Sequence, residues 1–460
     1  MYKIDFNKKI YVHFIGIGGI SMSGFAELLH ANGFTISGSD MKESKITEHL
    51  ETLGINVLYG QRRENITPNI DLIVYTAAIS KDNEEYIAAV ESKIPMMDRA
   101  EMVGQVMSNY NSAIAISGTH GKTTTTSMVS HIFLAADLDP TISVGGILKA
   151  INGNLRVGKS QNFITEACEY TNSFLKFNPT IGVILNIEED HMDFFKDLND
   201  IRHSFHLFAK RIPNNGLLIM NGDIPERNAL TEDLNCTVVT YSTKDKNCTY
   251  FADNISFNEF GYGEFDVMEN GSFLSHITLN VVGLHNISNA LAAIALGLQF
   301  HISIDTIQKG LSSYKGVDRR FQYKGDLCGV SIVDDYAHHP TEIRATLEAA
   351  QKYPHNTLWC VFQPHTYTRT KAFLDDFANA LSLADKIVLA DIYAAREKDP
   401  GDISSKDLQK KLEILGKETY YFSSFDEIED FLLENCIKGD LLITMGAGDV
   451  VNIGESLLGQ

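Results

Sequence analysis

No apolar run in this chain approaches the roughly 20 residues that a bilayer span requires. The first such run is cut by Gly16, Gly18 and Gly19, which does not suit a secretory leader, and a cytoplasmic protein is expected. Cysteine is sparse as well. Cys168, Cys236, Cys248, Cys328, Cys360 and Cys436 are scattered with no CxxC pair, which excludes a disulfide framework and a zinc site by spacing. Positive charge is short, with 39 Lys and Arg against 59 Asp and Glu and a net charge of -20. That balance argues against nucleic acid or an anionic membrane as partner. An anionic ligand must then be met by local donors. There is no low-complexity segment and no internal repeat.

What remains is the composition of a globular protein, 44% apolar and 21% charged over 460 residues. That length suggests about three domains. The most informative stretch is Ala113-Ile114-Ala115-Ile116-Ser117-Gly118-Thr119-His120-Gly121-Lys122-Thr123-Thr124. An apolar strand turns on glycines and enters a helix-compatible segment, expected over residues 124–136. Backbone N–H groups at such a turn, with the positive end of the helix dipole, make a phosphate cradle. Lys122 would reach the terminal phosphates and the Thr123 hydroxyl would hold magnesium. The general phosphate-loop pattern needs a glycine where Ile116 stands, so this turn is a shorter variant.

A second glycine turn opens the chain. Ile10 to Ile15 reads as a strand, Gly16-Ile17-Gly18-Gly19 as a turn, Ser21 to Ala31 as a helix, and Phe34 to Ser37 as the next strand, running to Ser39-Asp40. This is a Rossmann-type fingerprint with Ser21 in place of the third glycine, and Asp40 stands where an acid would hold a ribose hydroxyl. The run Tyr75-Thr76-Ala77-Ala78 ends a further strand with small residues that a ligand could approach.

Acids and imidazoles gather at later strand ends. Phe163 to Glu166 ends in acid, and a buried-looking strand from Thr180 to Ile187 runs into Glu188-Glu189-Asp190-His191. Glu166 suits a hard cation and His191 is a less typical ligand for one. Asn286 and Asn289, three apart on one helical face, could read a purine edge or cap the helix, and the residues alone favour capping. Strands at 329–334, 357–362, 386–390 and 440–444 make another α/β sheet. Two of its strand ends, Asp334-Asp335-Tyr336-Ala337-His338-His339 and Gln363-Pro364-His365-Thr366-Tyr367-Thr368-Arg369, are unusually polar.

Taken in order, these motifs resemble the Mur ligases, the ATP-dependent amide-forming enzymes of peptidoglycan synthesis. The resemblance runs through His13-Phe14-Ile15-Gly16-Ile17-Gly18-Gly19-Ile20-Ser21, Ser37-Gly38-Ser39-Asp40 and Gly118-Thr119-His120-Gly121-Lys122-Thr123-Thr124. It continues through Glu166-Ala167-Cys168-Glu169, residues 186–193, His285-Asn286-Ile287-Ser288-Asn289, Arg319-Arg320-Phe321-Gln322, 334–340 and 362–370.

The resemblance implies an α/β fold of three domains. These are a Rossmann-like UDP-sugar domain over 1–109, a central P-loop ATPase-like domain over 110–317, and a C-terminal dinucleotide-fold-like domain over 318–460. It implies ATP and Mg2+ as cofactors, UDP-N-acetylmuramate and L-alanine as substrates, and a monomer or weak homodimer. It assigns Gly16, Gly18, Gly19, Ile20, Ser21, Ser39, Asp40, Thr76, Ala77 and Ala78 to the UDP-sugar. It assigns Gly118, Thr119, His120, Gly121, Lys122, Thr123, Thr124, Asn286, Asn289, Arg320 and Asp335 to ATP, which for the two asparagines reverses the capping preference. Thr123, Glu166 and His191 match the metal positions, and Tyr336, His338 and Arg369 the amino-acid site. Lys122, Glu166, His191, His338 and Arg369 are then the expected catalytic set. A ligase recycling murein peptide, a nucleotide-binding regulator without chemistry, and a dehydrogenase using the Gly16 turn remain as alternatives.

Overall fold

Three short apolar runs, Tyr11–Ile15, Ser112–Ser117 and Leu358–Phe362, are buried almost end to end. Continuous burial is what an inner strand of a parallel sheet needs, because both of its faces are covered by helices. The computed structural model, which describes residues 3–76, 78–258, 261–395 and 397–460, places each run inside such a sheet. Contacts divide the chain into two compact units, Met1–Ile187 with Asn199–Thr240, and Glu188–Leu198 with Tyr241–Gln460.

The first unit holds two sheets. One has the spatial order Asn56–Tyr59, Thr35–Asp40, Tyr11–Ile15, Leu72–Tyr75, Met96–Asp98, with every pair parallel. The strand order reverses beside Tyr11–Ile15, so the glycine turn after it lies at a topological switch point, where ligands of such sheets bind. The other sheet runs Leu217–Asn221, Ile181–Ile184, Ser112–Ser117, Asn162–Ala167, Thr141–Leu148, all parallel across these pairs. Gly153–Arg156 closes it as an antiparallel edge. The helix Arg99–Met107 comes so close to the turn Tyr170–Lys176 that a Cβ on Gly104 would stand 2.0 Å from the Lys176 carbonyl oxygen. Asn178 Nδ2 donates to the Gly104 carbonyl at 2.9 Å, and Lys176 pairs with Asp98.

The second unit holds an antiparallel meander, Tyr250–Phe257, Tyr262–Glu269 and Ser272–Val282, followed by the helices Leu284–Gln299 and Ile304–Ser313. Sequence reading left these strands unassigned. Their signal is the alternating burial of Phe265 and Val267 and the Asn270-Gly271 turn, with both residues at positive φ. The last sheet runs Gln322–Leu327, Val330–Asp335, Leu441–Met445, Leu358–Phe362, Lys386–Leu389, Glu418–Tyr421, parallel except for its first pair.

The chain enters this sheet through Arg319 at φ +63 and Phe321 at φ +46, left-handed conformations that cost a side chain energy. Two acids hold the bend. Arg319 Nε donates to Asp334 at 3.1 Å, and the Phe321 N–H donates to Asp335 at 2.7 Å. Among the described residues no helix is long and apolar enough to cross a membrane.

Candidate active site

Each unit carries part of the expected machinery. In the first, the Gly16 turn is held by the end of the neighbouring strand. The Gly16 and Ile17 N–H groups both donate to the Ser39 carbonyl at 2.9 Å, and the Gly18 N–H donates to Asp40 Oδ2 at 2.8 Å. Gly16 stands at φ +83, and a Cβ there would lie 2.8 Å from Thr76 Cγ2. Asp40, expected at a ribose, thus has one carboxylate oxygen committed to the turn itself. The Ser39 hydroxyl is fully buried and donates to Glu85 at 2.5 Å, so of the expected UDP-sugar residues Ser39 acts on the turn from behind. Ile20 is exposed at the start of the helix Ile20–Ala31, and Ser21 Oγ accepts from Arg99 Nη1 at 3.3 Å. The Ala78 N–H donates to Thr76 Oγ1 at 3.3 Å. Ala77 lies outside the described residues.

The second glycine turn is built the same way. Gly118 at φ +144 leaves so little room that a Cβ would meet Leu185 Cβ at 2.9 Å, and Gly121 at φ +83 caps the helix Lys122–Ala135. That helix starts two residues earlier than the threonine run suggested. The Thr123 hydroxyl is turned outward to Glu166, and Thr124, Thr125 and Thr126 are buried. Asn186 braces the turn from the next strand end. Its Oδ1 accepts from the His120 N–H at 2.8 Å, its Nδ2 donates to the His120 carbonyl at 3.0 Å, and its own carbonyl accepts from the Thr119 N–H.

Lys122 Nζ donates to the carbonyls of Gly118 at 2.5 Å and Thr119 at 3.0 Å and to Glu169 Oε2 at 3.0 Å. Burial works against the lysine charge. The Glu169 carboxylate outweighs it, with Cys168 and Glu166 adding to the effect, and Lys122 is held well above the ordinary lysine range. It is a fixed cation. Thr123 Oγ1 donates to Glu166 Oε2 at 3.0 Å, and Glu166 Oε1 accepts from the Gly145 N–H at 2.5 Å. A hydroxyl and a carboxylate oxygen side by side are hard donors of the kind magnesium takes, usually with water and substrate phosphate completing its shell. These residues fit the ion.

His191 belongs to the second unit, at φ +54, with Nε2 3.7 Å from Asp190 Oδ2. Asp190 accepts from Arg369 Nη2 at 2.9 Å and from the His191 N–H at 2.7 Å. Burial opposes its charge, but Arg369, then His191 and His339, hold its carboxyl well below the usual range. Arg369 Nη1 also lies 3.2 Å from His365 Nδ1.

Next to this pair Tyr336, His338, His365 and Tyr393 form a row of rings with centroids 5.5, 5.6 and 5.7 Å apart. The guanidinium groups of Arg319 and Arg320 lie over Tyr336 at 4.9 and 5.5 Å, and Arg320 pairs with Glu342 at 3.6 Å. His338 Nδ1 sits 3.0 Å from the Tyr336 carbonyl, which can only accept. The proton is therefore on Nδ1, and Nε2 is the lone-pair end. Asp335, expected at ATP, accepts from the Phe321 and Ala337 N–H groups at 2.7 Å each, one on each carboxylate oxygen, and burial pushes its carboxyl up to about 6.

Burial also pushes the His338 imidazole down to about 4 from an ordinary 6.5, against the opposing pull of Glu342. Between those two values the folded chain binds fewer protons than the unfolded chain. The stability due to neutral His338 is therefore complete above pH 6.5 and lost as pH falls toward 4. A His338→Phe variant should lose melting temperature less steeply than the parent over that window. Equal slopes in calorimetry would show that His338 titrates normally.

Capping by the two asparagines is overturned. Gly283 caps the helix Leu284–Gln299 without any side-chain bond; Asn286 Nδ2 donates back to the Val282 carbonyl at 2.8 Å, and Asn289 Nδ2 donates to Asn286 Oδ1 at 3.2 Å. Other residues were missed. Glu169, Asn186, Asp190, Arg99 and Glu342 hold the expected site residues in place, and Glu169 and Asp190 lay inside quoted motifs. Their partners stand 47 and 179 positions away, a distance at which spacing carries no signal.

Comparison with known proteins agrees with this layout. Three family models match in order: "Mur ligase family, catalytic domain" over residues 11–111, "Mur ligase middle domain" over 116–297, and "Mur ligase, glutamate ligase domain" over 319–448. The chain is 60% identical to a UDP-N-acetylmuramate–L-alanine ligase of Lachnoclostridium phytofermentans, with all of both chains covered. It is 59% identical to the ligase of that name from Agathobacter rectalis, again over the whole of both. Among solved structures it is similar to the UDP-N-acetylmuramate-alanine ligase of Thermotoga maritima, at 29% identity and a TM-score of 0.80 over 98% of each chain. A murein peptide ligase from Psychrobacter arcticus gives 25% identity and a TM-score of 0.70 over 98% of each. Full-length matches on both sequence and fold leave one conclusion: this chain belongs to the Mur ligase family.

Proposed function

We propose that this protein is the ATP-dependent ligase that joins L-alanine to the carboxylate of UDP-N-acetylmuramate, for peptidoglycan precursors, acting in the cytoplasm as a monomer or weak homodimer. The observation that carries it is the intact phosphate turn with Lys122, Thr123 and Glu166, in a chain 60% identical end to end to a ligase of that name. The sugar carboxylate attacks the γ-phosphorus of ATP, giving an acyl phosphate and ADP. The alanine amine then attacks the acyl carbon and phosphate leaves. Every reactant is anionic or carries a carboxylate, so the protein's task is charge neutralisation and alignment.

Lys122 would stabilise charge on the transferring phosphoryl group. Thr123 and Glu166 would hold a magnesium ion, which would supply Lewis-acid stabilisation of the phosphate oxygens, and His191 matches the family's second metal position. Arg369 would grip the alanine carboxylate and Tyr336 and His338 would line its pocket. Asn286 and Asn289 would meet adenine, and Arg320 would meet ATP. The Gly16 turn, with Ile20, Ser21, Thr76 and Ala78, would take the UDP. The functional parts are 1–109, 110–317 and 318–460, a division supported by one parallel core sheet in each of the first and last.

The test is phosphate release from MgATP and UDP-N-acetylmuramate, with alanine, glycine, serine or a murein tripeptide offered separately. Release that requires alanine and yields a matching amide is expected. Preference for the tripeptide would assign the protein to peptide recycling instead, and no release with any acceptor would sink the ligase reading.

A further inference from the structure

A parallel sheet covered on both faces is normally lined with apolar side chains. On one face of the first sheet polar side chains interrupt that lining, beside the apolar cluster of Ile15, Ile73 and Ala89. Tyr11 and His13 on one strand and Ser37 and Ser39 on the next form a polar stripe, with His13 and Ser37 directly paired. Glu85, from the helix Glu84–Ser92, reaches into it. His13, Ser39 and Glu85 have no solvent exposure at all. Burying four polar side chains, with Tyr11 half-buried beside them, is costly unless all are satisfied.

They are satisfied in one direction. Tyr11 donates to Ser37 Oγ at 2.8 Å, and Ser37 Oγ lies 2.8 Å from His13 Nδ1. The serine hydroxyl has accepted from the tyrosine, so its own proton goes to Nδ1. The imidazole proton is then on Nε2, which lies 2.9 Å from Glu85 Oε1. Glu85 Oε1 also accepts from Asn65 at 3.1 Å, and its Oε2 from the Ser39 hydroxyl at 2.5 Å. Three donors converge on one buried carboxylate.

Two of the groups held this way lead to the glycine turn. The Ser39 carbonyl is the acceptor for the Gly16 and Ile17 N–H groups. Asn65 also donates to the Gly60 carbonyl at 2.9 Å, and the Gly60 N–H donates to the Asp40 carbonyl at 2.8 Å. Ser39 and Asp40 between them bind all three leading N–H groups of the turn. We infer that Glu85 is a positioning residue for the sugar-nucleotide site: its carboxylate fixes Ser39, and through it the shape of the Gly16 turn. This rests on the reading that the turn takes the UDP-sugar.

Glu85→Gln tests it selectively. The amide oxygen can keep His13 and Asn65 only by turning its NH2 group toward Ser39, so the Ser39 bond must reverse or break. The Michaelis constant for UDP-N-acetylmuramate should rise about tenfold, roughly the value of one charged hydrogen bond. The constants for ATP and alanine, and kcat at saturating sugar nucleotide, should stay within about twofold, the signature of lost binding without lost transition-state stabilisation. Ser39→Ala removes the same bond from its other end and should give the same split. A purely structural carboxylate would instead lower the melting temperature and move all constants or none, and that result overturns the proposal. Gly16→Ala separates the two readings. If it raises the sugar-nucleotide constant while Glu85→Gln and Ser39→Ala do not, only the role of Glu85 falls. If none of the three raises it, the turn is not the sugar-nucleotide site.

Discussion

Replacing Lys122 with methionine should lower phosphate release by about three orders of magnitude at saturating substrates, the scale for removing a preorganised charge from a transition state. The same change should lower the melting temperature. Glu169 is only 2% exposed, and the substitution takes away the cation 3.0 Å from its carboxylate. A buried carboxylate stripped of its partner is strongly destabilising. The double variant Lys122→Met with Glu169→Gln should therefore recover melting temperature and recover no turnover. Recovery of both would mean that Lys122 serves only to neutralise Glu169. Steady-state phosphate release and differential scanning calorimetry on the two variants decide it.

The second large effect is expected at Arg369. Its substitution by alanine should raise the Michaelis constant for L-alanine about 100-fold, the scale of a lost charge-assisted contact to a carboxylate. The complication is that Arg369 already holds Asp190, and the substrate carboxylate must share the guanidinium with it. Asp190→Asn combined with Arg369→Ala removes the uncompensated acid. If alanine affinity returns in the double variant, Arg369 is a neutraliser of Asp190 rather than the alanine grip. The expected result is that melting temperature returns and alanine affinity does not. Arg369→Lys should restore little, because a point charge does not reproduce the planar fork.

The strands that carry the site were legible because each is an apolar run ending in glycine or acid. Tyr11–Ile15, Val330–Asp335 and Leu441–Met445 were read to within one residue. The local turn was legible too: Gly118 and Gly121 mark the bend that leads into the helix Lys122–Ala135. Partnerships were not. That Asp335 would spend both oxygens on backbone N–H groups, or that Ser39 would turn its hydroxyl inward, depends on which face of a strand meets which helix. The meander between 250 and 282 escaped although Asn270-Gly271 is a strong hairpin turn, because its strands alternate over a single buried face and look weak beside the continuous runs of the parallel sheets.

The Asp40 carboxylate in the Gly16 turn has a consequence for selectivity in a cell full of small anions. A glycine turn with its N–H groups open to water would collect inorganic phosphate or sulfate as readily as a nucleotide. Here the first three N–H groups are already spoken for by the chain, one of them by a fixed negative charge. A lone anion arriving at the turn meets repulsion and an occupied donor. Only a ligand with purchase elsewhere, through a base, a sugar or a second phosphate, brings enough binding energy to settle beside Asp40. A turn built this way keeps itself clear of small free anions.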